Sequence, residues 1–410
     1  MPTRADTGAP TTQRRTIDDR RTTALRILAL VFALVCGLAV LIVTALSAAQ
    51  AQTASRYAFT KVADSAEDNL DAGSFECSSI NDRGDVAFRA GRRSANGFNT
   101  VDGVYRANAD GGLTTVAQNA RRFDFIGRNP SMNDQGWVSF AANLDSGNEV
   151  ILRDNGREER TIANTAGRYE FFTADTSINN SNVVAFKSDL DEEFGFDEGL
   201  FSGRNQQVAT RYLASTSKFG GSESRPSIND LGNVAFEERT DSGRQGIFIT
   251  REDGFFRTIA LADPEGFVDE PVLNDAGTVV FENNFTDESG AFVSEIVAKR
   301  GGSLTTIADT RARFGSFGFR PPSLNNDGDV AFLATLDDFE TDGIYVVGPG
   351  GDRRQVISTD DTLDGRTIQN LTFCEEGLSD TDNLTFVARL EDPDSQDGFR
   401  AAVFRAMPTR

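Results

Sequence analysis

Short apolar segments separated by polar turns recur along most of the chain. The pattern is clearest from Ser79 to Phe88 (Ser-Ile-Asn-Asp-Arg-Gly-Asp-Val-Ala-Phe), where an Asn-x-x-Gly turn joins two apolar segments. Asn and Gly suit this turn because the Asn side chain bonds back to the backbone and Gly tolerates a positive φ. In the second segment Val86 and Phe88 share one face and Ala87 takes the other, as in a strand buried on both faces. An antiparallel hairpin is therefore predicted.

The hairpin returns six more times, so the chain is a seven-fold repeat. Its turn residues are Asn81 and Gly84, Asn133 and Gly136, Asn179, Asn229 and Gly232, Asn274 and Gly277, and Asn325 and Gly328. The third copy has Asn182 where Gly is expected, and a weaker seventh copy places Ser379 where Asn is expected. The closing phenylalanines of the copies are 45 to 54 residues apart. This spacing is typical of propeller blades.

Two further apolar strands follow each hairpin, such as Val104-Tyr105 and Thr115-Val116-Ala117 in the first unit. Seven third strands are present but only six fourth strands, because the chain ends soon after Phe404. The missing pattern lies at the other end, in Thr60-Lys61-Val62-Ala63. We therefore predict an all-β, seven-bladed β-propeller of four-stranded antiparallel blades over residues 56–407, closed by its N-terminal strand.

The N-terminal region has the pattern of an export signal. Residues 1–26 form a basic, polar segment, and residues 27–46 carry no charge over a length that spans a bilayer as a helix. Ala49-Gln50-Ala51 then resembles a small-residue cleavage site. Residues 27–51 are thus predicted to form one apolar helix, either a cleaved signal peptide or a transmembrane signal anchor. Both interpretations place the remaining chain in the periplasm, at the cell surface or in the medium.

The repeat resembles a bacterial family of exported tandem-repeat proteins with the motif N-x-x-G-x-x-A-F and varied cell-surface anchors. The resemblance covers about residues 57–406. It implies export and a propeller-like fold. It implies no established activity and no catalytic residue.

Composition excludes several kinds of site. The chain has no histidine, which removes histidine general bases, Ser-His-Asp systems and histidine metal ligands. Its net charge of −21 opposes binding of nucleic acid, and of anionic lipid by the mature domain. Cys77 and Cys374 precede the first and seventh hairpins at nearly the same place, and a ring makes those hairpins neighbours. A disulfide is predicted between them, with two buried free thiols as the alternative.

Acidic residues cluster between the second and third strands, on loops that a propeller gathers opposite the Asn-Gly turns. Asp191, Glu192, Asp338 and Asp342 are candidate calcium ligands because carboxylate oxygens suit Ca²⁺. No stretch has the EF-hand spacing, so solvated loops are the alternative, and no other cofactor is expected. Aromatic side chains before the hairpins are expected to fill space between blades, with stacking on a sugar ring as the alternative.

The sequence thus favours a non-catalytic, monomeric, extracytoplasmic propeller that binds a protein, glycan or cation through its acidic loops, or serves as a surface protein. The alternative is a hydrolase or lyase that acts on a glycan through carboxylates in the central channel. Such an enzyme needs a matched pair of carboxyl groups. No spacing in the sequence selects that pair, so no catalytic residue is assigned.

Overall fold

The computed structural model describes residues 56–93, 100–119, 122–191, 197–213, 225–318, 320–395 and 397–409. The helix predicted within residues 27–51 lies outside them. In the described ranges the chain is all β apart from a short 3-10 helix at Ala72–Ser74. None of its described helices has the length and apolar character needed to span a membrane.

The strands form seven antiparallel sheets, which are the blades of the predicted propeller. The first three blades contain β2 (Ser78–Ile80), β3 (Val86–Arg93), β4 (Thr100–Ala107), β5 (Leu113–Gln118); β6 (Phe123–Ile126), β7 (Ser131–Met132), β8 (Val138–Leu144), β9 (Glu149–Asp154), β10 (Glu159–Asn164); β11 (Tyr169–Ile178), β12 (Val184–Leu190), β13 (Glu198–Arg204) and β14 (Gln207–Leu213). The next three contain β15 (Ser227–Ile228), β16 (Val234–Arg239), β17 (Gln245–Thr250), β18 (Phe256–Leu261); β19 (Phe267–Leu273), β20 (Val279–Thr286), β21 (Phe292–Arg300), β22 (Ser303–Asp309); β23 (Phe314–Ser316), β24 (Ser323–Leu324), β25 (Val330–Leu336), β26 (Asp342–Val347) and β27 (Arg353–Ser358).

The seventh blade combines strands from both ends of the described chain. It contains β28 (Thr362–Leu363), β29 (Arg366–Thr372), β30 (Leu384–Glu391), β31 (Phe399–Pro408) and, outermost, β1 (Tyr57–Asp64). β1 pairs antiparallel with β31, with Lys61 opposite Phe404. The segment that resembles a fourth strand therefore lies beside the last third strand.

Bulky side chains of the second and third strands fill the space between blades. Phe88 packs on Tyr105 with ring centroids 5.7 Å apart, and Phe186 packs on Phe201 at the same distance. These four rings are buried, as is the small side chain of Ala87 on the opposite face of β3. The motif predicted a strand with bulky side chains on one face and small ones on the other. This arrangement lets neighbouring sheets approach each other.

The Asn turns are tied to one another around the ring by backbone-to-side-chain hydrogen bonds. Each second residue of a turn donates its backbone N–H to the side-chain oxygen of the same residue in the next copy. The donors, in order, are Asp82, Asp134, Asn180, Asp230, Asp275, Asn326 and Asp380, at 2.6–3.0 Å. The last of these bonds runs from Asp380 back to Asp82. We call this series the turn circuit.

The motif Asn side chains make a second, incomplete series. Their Nδ2 atoms donate to the backbone carbonyl of the next motif Asn at 3.0–3.3 Å from the first copy through the fifth. Asn325 instead donates to the Asp382 carboxylate, and Ser379 has no amide with which to continue. The seventh copy also differs in its strand pairing beside the turn. A single bridge between Leu378 and Leu384 stands where other copies have a short strand pair, such as β2 with β3.

Cys77 and Cys374 form a disulfide between the first and seventh blades, with their Cα atoms 5.7 Å apart. Both residues are buried. The Arg320 guanidinium donates to the Cys77 sulfur at 3.3 Å from the sixth blade. The disulfide thus lies at the junction of the first and last repeats.

Candidate functional site: a groove between the fifth and sixth blades

The inner strand of each blade lines the central channel, and the position four residues before the motif Asn, or before Ser379 in the seventh copy, carries charged groups of the channel. In the third, fourth, fifth and seventh copies this position is Asp175, Arg225, Glu270 and Glu375. Arg225 forms ion pairs with Glu375 and with Glu376, the latter at 2.8 Å. These pairs link the fourth and seventh blades across the channel.

Glu270 stands apart from the other channel residues. Its φ is +45°, a conformation that side-chain-bearing residues seldom adopt, and it lies in a bulge of β19 between Asp269 and Val272. Burial raises the pKa of Glu270 to about 8, and the nearby carboxylates of Asp269 and Asp175 add to the rise. Arg225 and Arg320 oppose it. Glu270 is therefore largely protonated at neutral pH.

Glu270 also lines a groove of about 150 Å³ between the fifth and sixth blades. Asp269 and Glu282 lie in it as a directly opposed pair on β19 and β20. Such pairs put two side chains on the same face at neighbouring positions. Burial raises the pKa of both carboxyl groups, and Glu282 raises that of Asp269 further. Residues 315–318 and Pro321 form the facing wall.

A buried amide faces the same groove. Asn284 is 2% exposed, and its Oδ1 accepts a hydrogen bond from the Ser294 hydroxyl. Its Nδ2 makes no hydrogen bond within 3.5 Å among the described residues, but the Asn284 side chain lies close enough to the Glu282 carboxyl group to lower the pKa of that group, against the rise that burial causes. The amide therefore faces Glu282 within the groove.

Exposed phenylalanines border the groove. Phe267 and Phe292 stack on each other with ring centroids 6.4 Å apart, yet they are 36% and 62% exposed. Phe339, 72% exposed, lies against the backbone at Gly315 so closely that a Cβ there would come within 2.7 Å of its ring. Glycine at 315 is therefore needed for this contact. The groove combines a solvent-exposed aromatic border with a partly buried polar floor.

The mouth of the channel at the Asn turns is also acidic, but its carboxylates accept the hydrogen bonds of the turn circuit. A cavity of about 170 Å³ lies inside the ring of Asn turns. Burial, then the neighbouring Asp134 and Asp380 charges, raise the pKa of Asp82 to about 6. Because each ring carboxylate already accepts a backbone N–H, the arrangement is accounted for by the fold.

The structure places the described calcium candidates on two different hairpins, with Asp191 after β12 and Asp338 and Asp342 between β25 and β26. The Asp338 carboxylate accepts the backbone N–H groups of Glu340 and Thr341 in its own loop, and Asp342 accepts the Thr335 hydroxyl at 2.7 Å. Asp191 donates its backbone N–H to Arg168, and Glu192 lies outside the described residues. None of the three described candidates belongs to a cluster of three or more acidic or thiol ligand atoms.

Two such clusters do occur in the part of the chain that is described. One consists of Glu375 with the two cysteines, whose sulfurs are already joined. The other comprises Asp64, Glu67 and Asp364, and the Lys61 ammonium contacts all three at 2.6–3.4 Å. Lys61 thus supplies the cation that these carboxylates need.

Most of the aromatic residues before the second, third and sixth hairpins are buried, in line with the predicted packing role, and Phe125 is only partly buried. Phe123, Tyr169, Phe172, Phe314 and Phe317 are all buried. Phe171 is the exception among them, at 50% exposed. The groove residues were not found from sequence, although charges recurring four residues before the motif would have indicated the channel wall.

Comparisons with solved structures show the propeller fold. The β-propeller domain of the Trilobed protease from Pyrococcus furiosus is similar with a TM-score of 0.53 and 11% identity, covering 83% of this chain and 97% of that one. An oligogalacturonate lyase in complex with manganese is similar with a TM-score of 0.52 and 13% identity, covering 86% and 97%. No curated protein sequence matches the chain. Residues 80–260 match the sequence model of a family of unknown function, DUF7453.

Proposed function

We propose that this protein is a non-catalytic, extracytoplasmic propeller that binds a glycan in the groove between its fifth and sixth blades. The observation that carries the proposal is the stacked, exposed pair Phe267 and Phe292 beside the carboxyl and amide groups that line the same groove. Sugar rings present apolar C–H faces that pack on aromatic rings, and hydroxyl groups that both donate and accept hydrogen bonds. The carboxyl groups of Asp269 and Glu282 offer oxygen atoms to such hydroxyl groups.

The similarity to known propellers supports the fold alone, because one fold hosts many activities. The proposal therefore rests on the groove. A pocket with an apolar border and a few convergent polar groups is the usual form of a small-ligand site.

A glycan array with purified protein tests this proposal. The Phe292→Ala variant should weaken the affinity for any retained glycan about tenfold, which corresponds to about 1.4 kcal/mol. The matched control is Phe255→Ala, since Phe255 is 56% exposed but lies away from the groove. Equal affinity of wild type and Phe292→Ala, or an equal loss in both variants, would contradict the assignment.

The alternative is a hydrolase or lyase, and Glu270 favours it. A strained residue with a pKa of about 8, beside a ligand-sized groove, is the kind of group that general acid–base catalysis uses. Release of new chain ends from the retained glycan, lost in Glu270→Gln, would establish this function. Unchanged glycan after prolonged incubation from acid to alkaline pH would leave the binding role.

We also propose that the domain is exported and that its ring is closed at the seam between the first and seventh blades. The β1–β31 pairing, the turn circuit and the disulfide support closure, and disulfides persist in oxidising compartments. N-terminal sequencing of the exported product distinguishes a cleaved signal peptide from an uncleaved anchor. A monomeric state, a basic protein partner and calcium binding by the loops stay predictions.

A further inference from the structure

The turn between the second and third strands of the sixth blade has a phenylalanine where other blades have glycine. In three other blades the turn places a glycine with φ of +80° to +86°, whose backbone N–H donates to the carbonyl three residues before it: Gly147, Gly243 and Gly290. In the sixth blade Phe339 makes the same bond, to the Leu336 carbonyl at 3.0 Å, with φ +58°. Glycine adopts this left-handed conformation freely, whereas a side chain with a Cβ strains it.

The strain at Phe339 is not compensated by burial. The side chain is 72% exposed, the largest exposure of any large apolar side chain in the described part of the chain. Apolar side chains stabilise a fold by leaving water, and this one stays largely in water. Backbone strain that the fold does not need is typical of functional sites, so the position of this ring calls for a ligand.

The turn holds the Phe339 ring in a fixed position. The Asp338 carboxylate accepts the backbone N–H groups of Glu340 and Thr341, both at 2.9 Å, and the Thr341 hydroxyl at 2.8 Å. Leu336 donates its backbone N–H to the Thr341 carbonyl at 2.8 Å. A ring on so well-bonded a turn is pre-organised, and a pre-organised contact loses little conformational entropy when a ligand packs on it.

The Phe339 ring continues the groove onto the sixth blade. Gly315 lines the groove, and the Phe339 ring lies against it. Phe267 and Phe292 border the same groove from the fifth blade. Exposed aromatic rings therefore border the groove on both of the blades that form it.

Aromatic rings on both borders suit a chain of sugars better than a single sugar. In β-1,4-linked hexoses with mostly equatorial substituents, each unit has apolar C–H faces, and its hydroxyl groups point outward from the ring edges. Successive units of such a chain can pack on aromatic rings at the two borders. The hydroxyl groups between them then face Asp269 and Glu282, which line the groove.

We infer that Phe339 is a second aromatic contact of the glycan site, and that the ligand is a linear chain of β-1,4-linked hexoses that runs from the fifth blade onto the sixth. The inference rests on the proposed function and specifies the ligand and its length. A disaccharide contacts the pair Phe267 and Phe292 alone and should bind more weakly than a longer chain.

Calorimetric titration with oligomers of two lengths tests the inference. The probes are the β-1,4-linked dimers and hexamers of glucose, N-acetylglucosamine and mannose. We expect at least one hexamer to bind about tenfold more tightly than its dimer. Phe339→Asn should remove that gain and leave the dimer affinity unchanged. Because asparagine tolerates the left-handed conformation, the variant should unfold at the same temperature as wild type or at a higher one.

Three further variants serve as controls. Phe339→Tyr keeps an aromatic ring and should keep the hexamer affinity. Phe255→Asn removes an exposed ring that lies away from the groove and should also keep it. Phe292→Ala should weaken the dimer and the hexamer alike, because both contact the fifth blade.

The outcomes distinguish the inference from the function beneath it. Equal affinity for dimer and hexamer, or an unchanged hexamer affinity in Phe339→Asn, overturns the inference and leaves glycan binding in place. A lower unfolding temperature in Phe339→Asn overturns it too, because the ring then serves the fold. Retention on the array of other glycans alone overturns the β-1,4-linked ligand. No binding of any oligomer, together with no hit on the array, overturns both the inference and the proposed function.

Discussion

The motif asparagine acts in two directions at once. In the fourth copy, Asn229 Oδ1 accepts the Asn233 backbone N–H within its own turn, and its Nδ2 donates to the Asn274 carbonyl of the next blade. Gly232, at φ +76°, completes that turn. One side chain therefore shapes the hairpin and ties it to its neighbour, which is why so short a motif can build a ring.

Exchanging asparagine and serine at this position tests the role of the amide. Asn229→Ser should lower the free energy of unfolding by about 1–3 kcal/mol, because the Asn274 carbonyl loses its buried donor. Ser379→Asn should raise it by about 1 kcal/mol if the new amide reaches the Asn81 carbonyl. Urea unfolding measures both. A destabilising Ser379→Asn would show that the seventh copy is adapted to serine.

Glu270 makes stability depend on pH in a specific direction. Its pKa is raised from about 4.5 to about 8, so between these values the folded state holds a proton that the unfolded chain has released. The free energy of unfolding should therefore fall as pH rises through this window and level off above it. Burial is the largest cause of the raised pKa; the Asp269 and Asp175 charges add to it, and Arg225 and Arg320 oppose it.

Glu270→Gln should remove much of this slope, on the order of 3 kcal/mol after allowance for partial contact with solvent. Urea unfolding at about pH 4.5, 6 and 8 measures it, with the exposed Glu265→Gln as the control. Identical slopes in wild type and Glu270→Gln would contradict the account of its environment. A residual slope is expected from Asp269 and Glu282.

At the residue scale, turn chemistry could be predicted and the groove could not. Asn, Gly and their spacing determine a turn locally. The position of the Glu270 side chain depends on a bulge that shifts the register of β19 against β20. The periodicity of apolar residues carries no signal for such a bulge. The sequence shows a glutamate; the strand register decides what it faces.

At the scale of elements, the junction between the first and seventh blades is the least regular part of the propeller. The disulfide joins cysteines 297 residues apart in sequence, and the β1–β31 pairing joins the two ends of the described chain. A cross-link that closes so long a loop restricts the unfolded chain, by about 4–5 kcal/mol in the chain-entropy estimate. The disulfide therefore stabilises the junction where Ser379 lacks the amide that links the other copies.

The double variant Cys77→Ser/Cys374→Ser should lose about 4–5 kcal/mol of unfolding free energy. Denaturant unfolding of oxidised wild type, reduced wild type and the variant measures the loss, and the last two should behave alike. Two free thiols in exported wild-type protein would remove the basis of this prediction.

In that variant the seventh blade should also open first. Hydrogen exchange should become faster in β1 and β29 than in β12 and β13, which lie in the regular third blade. Uniform acceleration across all blades would instead indicate that the ring unfolds as one cooperative unit.

Strand counting predicted the order of elements well, including the strand at residues 60–63. It missed the length of the inner strands. β11 extends from Tyr169 to Ile178. β29 ends at Thr372, six residues before Leu378, where the seventh motif begins. These inner strands face a polar channel, so they lack the apolar alternation by which strands are recognised.

At the scale of the whole molecule, the sequence repeat was enough to predict the fold but not the position of the groove. A repeat that cannot bury both faces of its own sheet must stack against copies of itself, and seven copies of this length favour a ring. The groove instead uses what differs between copies: the charges of the fifth blade and the close backbone approach at Gly315 in the sixth. A pattern shared by all blades cannot reveal a feature found between two of them.

The most direct test of the glycan-binding groove is a crystal structure of the protein with a glycan that the array retains. We predict a sugar ring against Phe267 and Phe292, with its hydroxyl groups at hydrogen-bonding distance from the Asp269 or Glu282 carboxyl group. A glycan seated instead in the cavity inside the Asn turns, with the groove empty, would contradict the account.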